Sequence, residues 1–506
     1  MNRREFLKVS AIFPLLLTRA DQIIRGLDRV GSIQEYPNVV ILIFDALSAK
    51  HMSLYNYPRN TTPNIDRFAE NAIVYHNHYA SGNFTTSSTA SLFSGTYPWF
   101  HRALHLQGNI LKNHVEKNIF NLIPEDVQTT VYTHNQLAFT LLSQLSAFID
   151  HLKPPRDLAL YDPQYSDRIF PSDYYVASVS EKAIMLGEDK LNPTSLLGAL
   201  DYIFRLYINK KKIITDIGST FPRGIPQFGN MLYILEDFTD WVMDEIIELP
   251  YPYLMYLHAL PPHGPYKTRR DFKGIFEDDY EHVAKPEHFF SQGHGNVYLN
   301  QMRREYDEFL AYADTEFGRL YDHLEKNGVF ENSYVIITSD HGEMFERGIR
   351  GHMSETLYES LIRVPLIVSK PGQNKRIDVH TPTSNIDLLP TLMNIYHQPV
   401  PEWCEGAVLP EFNSEPERED REVYSVEAKS NPKNGKLRKA TIALVRAGYK
   451  LIRYSGYEDF EEQFEFYNLE EDPEELDDIY STTDIIAQEL KHIMETKLSQ
   501  VDDGFD

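Results

Sequence analysis

The sequence predicts an α/β fold, with a central, mainly parallel sheet between helical layers and a small α+β domain at the C-terminus. Three observations predict it. Runs at Val39–Phe44, Tyr253–Leu257 and Tyr334–Ile337 are apolar without alternation, the pattern of strands buried on both faces. Each run leads into a residue that can hold a metal or move a proton: Asp45, His258 and Asp340-His341. In open α/β sheets, ligands bind at the carboxyl ends of the strands. The tail then changes character, with short β-branched and aromatic runs at Thr441–Arg446, Tyr449–Tyr454 and Phe464–Leu469 that read as antiparallel strands.

The 506 residues fit one large α/β domain with a smaller partner. The expected division is a signal segment over 1–25, a catalytic domain over 36–400 with an insertion or cap at 150–248, and a C-terminal subdomain over 401–506. A net charge of −25 argues against nucleic acid, whose phosphates need Lys and Arg partners. It leaves room for an anionic substrate, because a bound divalent ion reverses the local field. The single cysteine, Cys404, excludes an intramolecular disulfide and a Cys-rich zinc site.

The N-terminus, Met1-Asn-Arg-Arg-Glu-Phe-Leu-Lys8 followed by mostly apolar Val9 to Leu17, resembles a twin-arginine export signal. The apolar run is shorter than the roughly 20 residues a membrane helix needs. The expectation is export to the periplasm or beyond by the twin-arginine machinery, with cleavage near Ala20 or retention as an anchor.

Further along, Pro63 suits a first helical position with Thr62 as its cap, and Ile65, Phe68, Ala69 and Ala72 form an apolar face. Ile73–Tyr75 and Val127–Tyr132 read as strands. Between them lies the stretch from Asn83 to Pro98. It opens on the hydroxyls Thr85 to Thr89, makes a short helical turn at Ala90 to Phe93, and closes on Gly95. A hydroxyl at a helix start meets free N–H groups that stabilise negative charge, so it reads as either a nucleophile or an ordinary cap. Residues 150–248 carry no chemical motif, and Leu196 to Tyr207 is amphipathic. His258 and His263, in a proline-bearing loop just past a strand, are expected to face one pocket. Gln301 to Leu324 reads as a long helix. Asp340-His341 side by side at a strand tip are ready metal ligands, and Gly342 lets the backbone pass close to them. His352 follows, then a strand at Arg363–Val368. A terminal helix is expected over Thr483 to Leu498.

These segments together resemble the sulfatase branch of the alkaline-phosphatase superfamily over nearly the whole chain. The resemblance rests on the strand ending at Asp45, on Thr62-Pro-Asn-Ile-Asp66, and on Thr85–Gly95 with Tyr97-Pro98 and His101. It extends through Pro262-His263-Gly-Pro-Tyr266, Ser339-Asp-His-Gly342, Leu357-Tyr-Glu359 with Arg363-Val-Pro365, and Tyr449-Lys-Leu-Ile452. It implies an alkaline-phosphatase-like α/β/α sandwich with a smaller C-terminal sheet domain. In true sulfatases the nucleophile is a cysteine oxidised to formylglycine, within Cys-x-Pro-Ser-Arg, ten residues before the glycine that corresponds to Gly95. Counting back ten reaches Thr85, with Ser87 and Thr89 in place of the motif's Pro and Arg. Formylglycine is therefore not expected at Thr85. Superfamily members with threonine there resemble phosphodiesterases, phosphonate monoester hydrolases and phosphoglycerol or phosphoethanolamine transferases.

Chemistry favours that branch. A sulfated formylglycine hydrate sheds sulfate by collapsing to the aldehyde, which a threonine sulfate ester cannot do. A phosphothreonine is resolved by a second in-line attack. The resemblance implies a divalent ion (Mg²⁺, Mn²⁺, Ca²⁺ or Zn²⁺) held by Asp45, Asp340 and His341 with Thr85 as fourth ligand. It implies His263, His258 and His352 as groups that bind non-bridging oxygens or protonate the leaving group. The expected substrate is a small anionic ester, including a lipid headgroup or glycan. Two departures stand out: the family's Asp-x-x-Arg-x-Asp is here Asp45-Ala-Leu-Ser48-Ala-Lys50, and the second Asp of a paired set is Ala46. The alternatives are a sulfuric ester hydrolase, a transferase, and a catalytically inactive binding protein of the same fold. Retention of Asp45, Thr85 and Asp340-His341 together argues against the last.

Overall fold

The computed structural model describes residues 36–160, 209–229, 231–414, 418, 420–458 and 462–503. The predicted signal segment over 1–25 and the amphipathic run Leu196 to Tyr207 lie outside the described residues. An eight-stranded sheet organises the rest. Its strands are β1 (Asn38–Phe44), β2 (Ile73–Tyr75), β3 (Gln128–Thr133), β4 (His151–Lys153), β5 (Tyr253–Ala259), β6 (Ser333–Thr338), β7 (Leu366–Ser369) and β8 (Ile377–Val379). They lie in the order β8-β2-β7-β6-β1-β5-β3-β4. Within this sheet β7 runs antiparallel to both neighbours, and the other pairings are parallel.

The three apolar runs sit together at the centre. Ile43 of β1 stands opposite His258 of β5 on one side and Thr338 of β6 on the other, and Thr133 of β3 stands opposite His258. That register brings the carboxyl ends of four parallel strands level. Both faces are covered, which is why these strands lack polar alternation. Val40, Leu42 and Phe44 point to one side and Val39, Ile41 and Ile43 to the other. The first side is packed by α1 (Pro63–Ala69), by Leu235–Glu248 and by the long helix Asn296–Lys326. The second is packed by α2 (Thr85–Ser94), α3 (Gln136–Gln144) and the helix Leu388–Ile395.

Two local expectations are corrected here. Thr62 holds the N-cap position before Pro63, as expected, but its side chain makes no cap bond; its hydroxyl donates to Asp66 Oδ1 at 3.1 Å. The free N–H groups of Asn64 and Ile65 donate to the buried Asp314 carboxylate on the long helix, at 2.9 and 2.8 Å, across 250 residues of chain. The hydroxyl-rich stretch is also helical for longer than its apolar turn suggests. α2 begins at Thr85 and every residue of it is buried, so it has no solvent face for periodicity to mark. Gly95 ends it in the left-handed region at φ 64°, where glycine carries no side-chain penalty.

The C-terminal sheet is antiparallel in the order β9 (Val423–Glu427), β10 (Ala440–Arg446), β11 (Tyr449–Ser455), β12 (Glu462–Asn468). One face is covered by the terminal helix Ile485–Asp503 through Ala487, Leu490 and Met494. The other face, with Ala443, Val445, Ile452 and Tyr454, packs on Met344, Ile349, Leu357 and Leu361 of the large domain. Buried Lys450 crosses that junction. Its ammonium donates to the Leu357 carbonyl at 3.2 Å and to Glu359 Oε1 at 3.0 Å, and it also pairs with Glu475. Lys450→Met should leave two buried carboxylates without their cation, a loss of about 3–5 kcal/mol. Thermal unfolding followed by circular dichroism should place the variant well below wild type. Equal melting would mean that this triad does not hold the two parts together.

Candidate metal centre and active site

The levelled strand tips bring Asp45, Asp340 and His341 into one fully buried cluster, with one ligand atom from each lying within 4.8 Å of the others. The two carboxylates are treated alike. Asp45 Oδ2 accepts from His258 Nε2 at 3.2 Å and from the Asn135 amide, while Asp45 Oδ1 has no hydrogen-bond partner. Asp340 Oδ1 accepts from the Ala46 and His341 N–H groups at 3.2 and 2.9 Å, while Asp340 Oδ2 has none. The two bare oxygens each lie 3.6 Å from His341 Nε2. His341 Nδ1–H donates to the Gly342 carbonyl at 2.9 Å, which turns Nε2 toward the cluster in the manner of a metal-bound imidazole. Buried carboxylate oxygens without donors are costly, and a divalent cation satisfies both at once. The donor set, two oxygens and one imidazole, fits such an ion.

Charge at the cluster follows the same pattern. Burial alone pushes the Asp45 carboxyl up, but His263, His258 and His341 outweigh it and hold it below the usual carboxylate range. Burial lowers His258, and its hydrogen bond to Asp45 with the nearby Asp340 charge carries it above the ordinary imidazole value.

Thr85 is the first residue of α2, and its Oγ1 lies 3.3 Å from His341 Nε2. Two of the hydroxyls that follow it are occupied elsewhere: Thr86 donates to the Leu106 carbonyl and Ser88 to the Asp340 carbonyl. Cys404 lies at the opposite end of the helix, with Sγ 3.4 Å from the Gly95 carbonyl. Ten helical residues separate the two ends by about 15 Å.

The three histidines are placed differently. The rings of His263 and His352 lie near His341 at tilted or edge-on angles, with centroids 4.9 Å apart from each other and 6.5 and 4.3 Å from His341. His258 lies against the two carboxylates, with Nε2 3.2 Å from Asp45 Oδ2 and 3.7 Å from Asp340 Oδ2 and the Tyr256 hydroxyl 3.2 Å from Nδ1. Two further residues went unread in the sequence. Asn135, just past β3, donates to Thr85 Oγ1 at 3.1 Å as well as to Asp45. Buried Glu343 holds His352 Nδ1 at 3.0 Å. Burial raises the Glu343 carboxyl, and His352, His263 and His341 bring it below its ordinary value. The signal for Asn135 was the strand-tip rule applied to β3.

Fold and site define an ester hydrolase of alkaline-phosphatase-like architecture. The chain belongs to the sulfatase family: the Sulfatase family model matches residues 37–397, and the model for the C-terminal part of N-sulphoglucosamine sulphohydrolase matches 352–503. It is similar to choline-sulfatase of Rhizobium meliloti, 23% identical over 87% of this chain and 81% of that protein. It is also similar to an ulvan-active sulfatase of Formosa agariphila, 24% identical over 82% and 74%. Among solved structures, phosphonate monoester hydrolase of Agrobacterium radiobacter aligns with a TM-score of 0.63 at 16% identity, covering 92% of this chain and 96% of that one.

Calorimetric titration with Mn²⁺ should find one ion per chain. Asp340→Ala, which removes a ligand, should weaken binding more than His258→Phe, which removes an outer partner and costs about 10–100-fold. Unchanged affinity in Asp340→Ala would remove this cluster as the metal site.

Proposed function

We propose that the chain is a metal-dependent hydrolase of phosphoric diesters or phosphonate esters that works through Thr85 as nucleophile. The observation that carries this reading is the setting of the Thr85 hydroxyl, at the N-terminus of a buried helix and 3.3 Å from a ligand imidazole. Of the hydroxyls that follow it, those of Thr86 and Ser88 are spent on carbonyls, and the lone cysteine is a helix length away. Asp45, Asp340, His341 and Thr85 would hold a divalent ion, which when bound lowers the pKa of a hydroxyl and neutralises charge on the reacting ester. Thr85 Oγ attacks phosphorus in line as its O–H bond breaks and its proton leaves to solvent, the bond to the leaving oxygen breaks, and that oxygen takes a proton from His263 or His352. Water then attacks the same phosphorus, giving one proton back to that histidine; the Oγ–P bond breaks, Thr85 Oγ regains a proton from solvent, and the phosphate or phosphonate product leaves. His258 braces Asp45 rather than touching substrate, and Glu343 fixes the ring of His352.

A second reading is hydrolysis of sulfuric esters, favoured by the sulfatases among the relatives, which act on choline sulfate or on ulvan by their names. The covalent intermediate distinguishes the two, because threonine offers no aldehyde route for releasing sulfate. We further propose twin-arginine export on the strength of Arg3-Arg4; recovery of the enzyme from the cytosol alone on cell fractionation would overturn it.

Turnover of 4-nitrophenyl sulfate, 4-nitrophenyl phosphate, bis(4-nitrophenyl) phosphate and 4-nitrophenyl phenylphosphonate should be measured with Mg²⁺, Mn²⁺, Ca²⁺ and Zn²⁺. The diester or phosphonate should dominate, and Thr85→Ala should abolish it. Dominant sulfate turnover would establish the second reading, and retained activity in Thr85→Ala would remove Thr85 as nucleophile.

A further inference from the structure

We infer that Asn135 is a catalytic donor that aims the Thr85 oxygen and stabilises it as its O–H bond breaks; this rests on the reading of Thr85 as nucleophile. Asn135 is fully buried where β3 meets α3. Its Oδ1 caps α3, accepting from the Leu137 and Ala138 N–H groups at 2.7 and 3.4 Å. Its own N–H donates to Thr133 Oγ1 at 2.9 Å. These bonds settle which way the amide faces, since only oxygen can accept from two backbone donors. The NH₂ group is thereby turned away from the helix, onto Asp45 Oδ2 and onto Thr85 Oγ1 at 3.1 Å.

Two consequences follow from that orientation. Thr85 Oγ1 accepts from Asn135, so its hydrogen points elsewhere and one lone pair is fixed. An amide donor also keeps its hydrogen at every working pH, so it remains on the oxygen as charge develops there. A preorganised donor of this kind is worth about 10²–10³-fold in kcat. The same NH₂ group spans nucleophile and ligand, which ties the position of Thr85 to that of Asp45.

Capping uses Oδ1 and aiming uses Nδ2, so substitution separates the two roles. Asn135→Ser keeps a good N-cap and places no donor within reach of Thr85, whereas Asn135→Ala loses both. Calorimetric Mn²⁺ affinity of each variant sets the concentration that saturates it, and kcat and KM are then measured at saturation on bis(4-nitrophenyl) phosphate and 4-nitrophenyl phenylphosphonate. Asn135→Ser, which keeps the cap but gives up the donor to Asp45 Oδ2, should melt above Asn135→Ala and lose about 10²-fold in kcat with KM within a few-fold. Labelling by an aryl phosphonofluoridate gives a readout independent of turnover. The Thr85 O–H and the P–F bonds break, the Oγ–P bond forms, and fluoride and a proton leave to solvent. Peptide mass spectrometry should show labelling at Thr85 slowed in Asn135→Ser by a similar factor.

Wild-type kcat and labelling rate in Asn135→Ser, with loss only in the destabilised Asn135→Ala, would reduce Asn135 to a cap and overturn the inference while Thr85 stands. Full activity in Thr85→Ala, or label on another residue, would overturn the nucleophile reading and this inference together.

Discussion

Two buried carboxylates that the protein satisfies on one side only are the constraint on which the rest depends. Asp45 and Asp340 each have one oxygen tied by protein donors and one bare oxygen facing His341 Nε2. Negative charge placed in a low-dielectric interior costs several kcal/mol per ion unless it is compensated. The surrounding imidazoles supply part of that compensation, and the arrangement leaves the remainder to a cation. Level parallel strands are what make the convergence geometrically available. A one-residue slip of β1 against β5 or β6 would turn Asp45 to the opposite face of the sheet.

The layers above the site serve the same end. Ser88 holds the Asp340 carbonyl, Ser339 holds the Leu47 N–H and the His341 carbonyl, and Tyr306 donates to the Ala46 carbonyl. Ala46 itself sits in the left-handed region at φ 62°, an uncommon conformation for a residue with a side chain. The C-terminal sheet, anchored through Lys450 on Glu359 and Glu475, packs against Met344, Ile349, Leu357 and Leu361, which lie on either side of His352 in the chain.

Much of this was legible in the sequence, for a physical reason. A strand buried on both faces must be apolar throughout, so a polar residue at its end stands out, and Asp45 and Asp340-His341 were visible on that ground. Asn135 was hidden because it does cap a helix, and a side chain with two roles looks like the more ordinary one. Thr62 misled for the opposite reason: the cap of α1 comes from Asp314, remote in sequence, and local chemistry cannot announce it. His258 and His263 differ in setting: the first lies within β5 and bonds Asp45, while the second lies on the loop beyond, near His352 and His341. The length of α2 was obscured by complete burial, which removes the amphipathic signal.

The central claim is that the bare oxygens, the His341 ring and the Thr85 hydroxyl converge on one cation. A crystal structure of the Mn²⁺-loaded protein with anomalous data at the manganese edge tests it most directly. The account predicts one anomalous peak at roughly 2.0–2.3 Å from Asp45 Oδ1, Asp340 Oδ2, His341 Nε2 and Thr85 Oγ1. A peak held by other residues, or one bound by the carboxylates with Thr85 turned away, would contradict it.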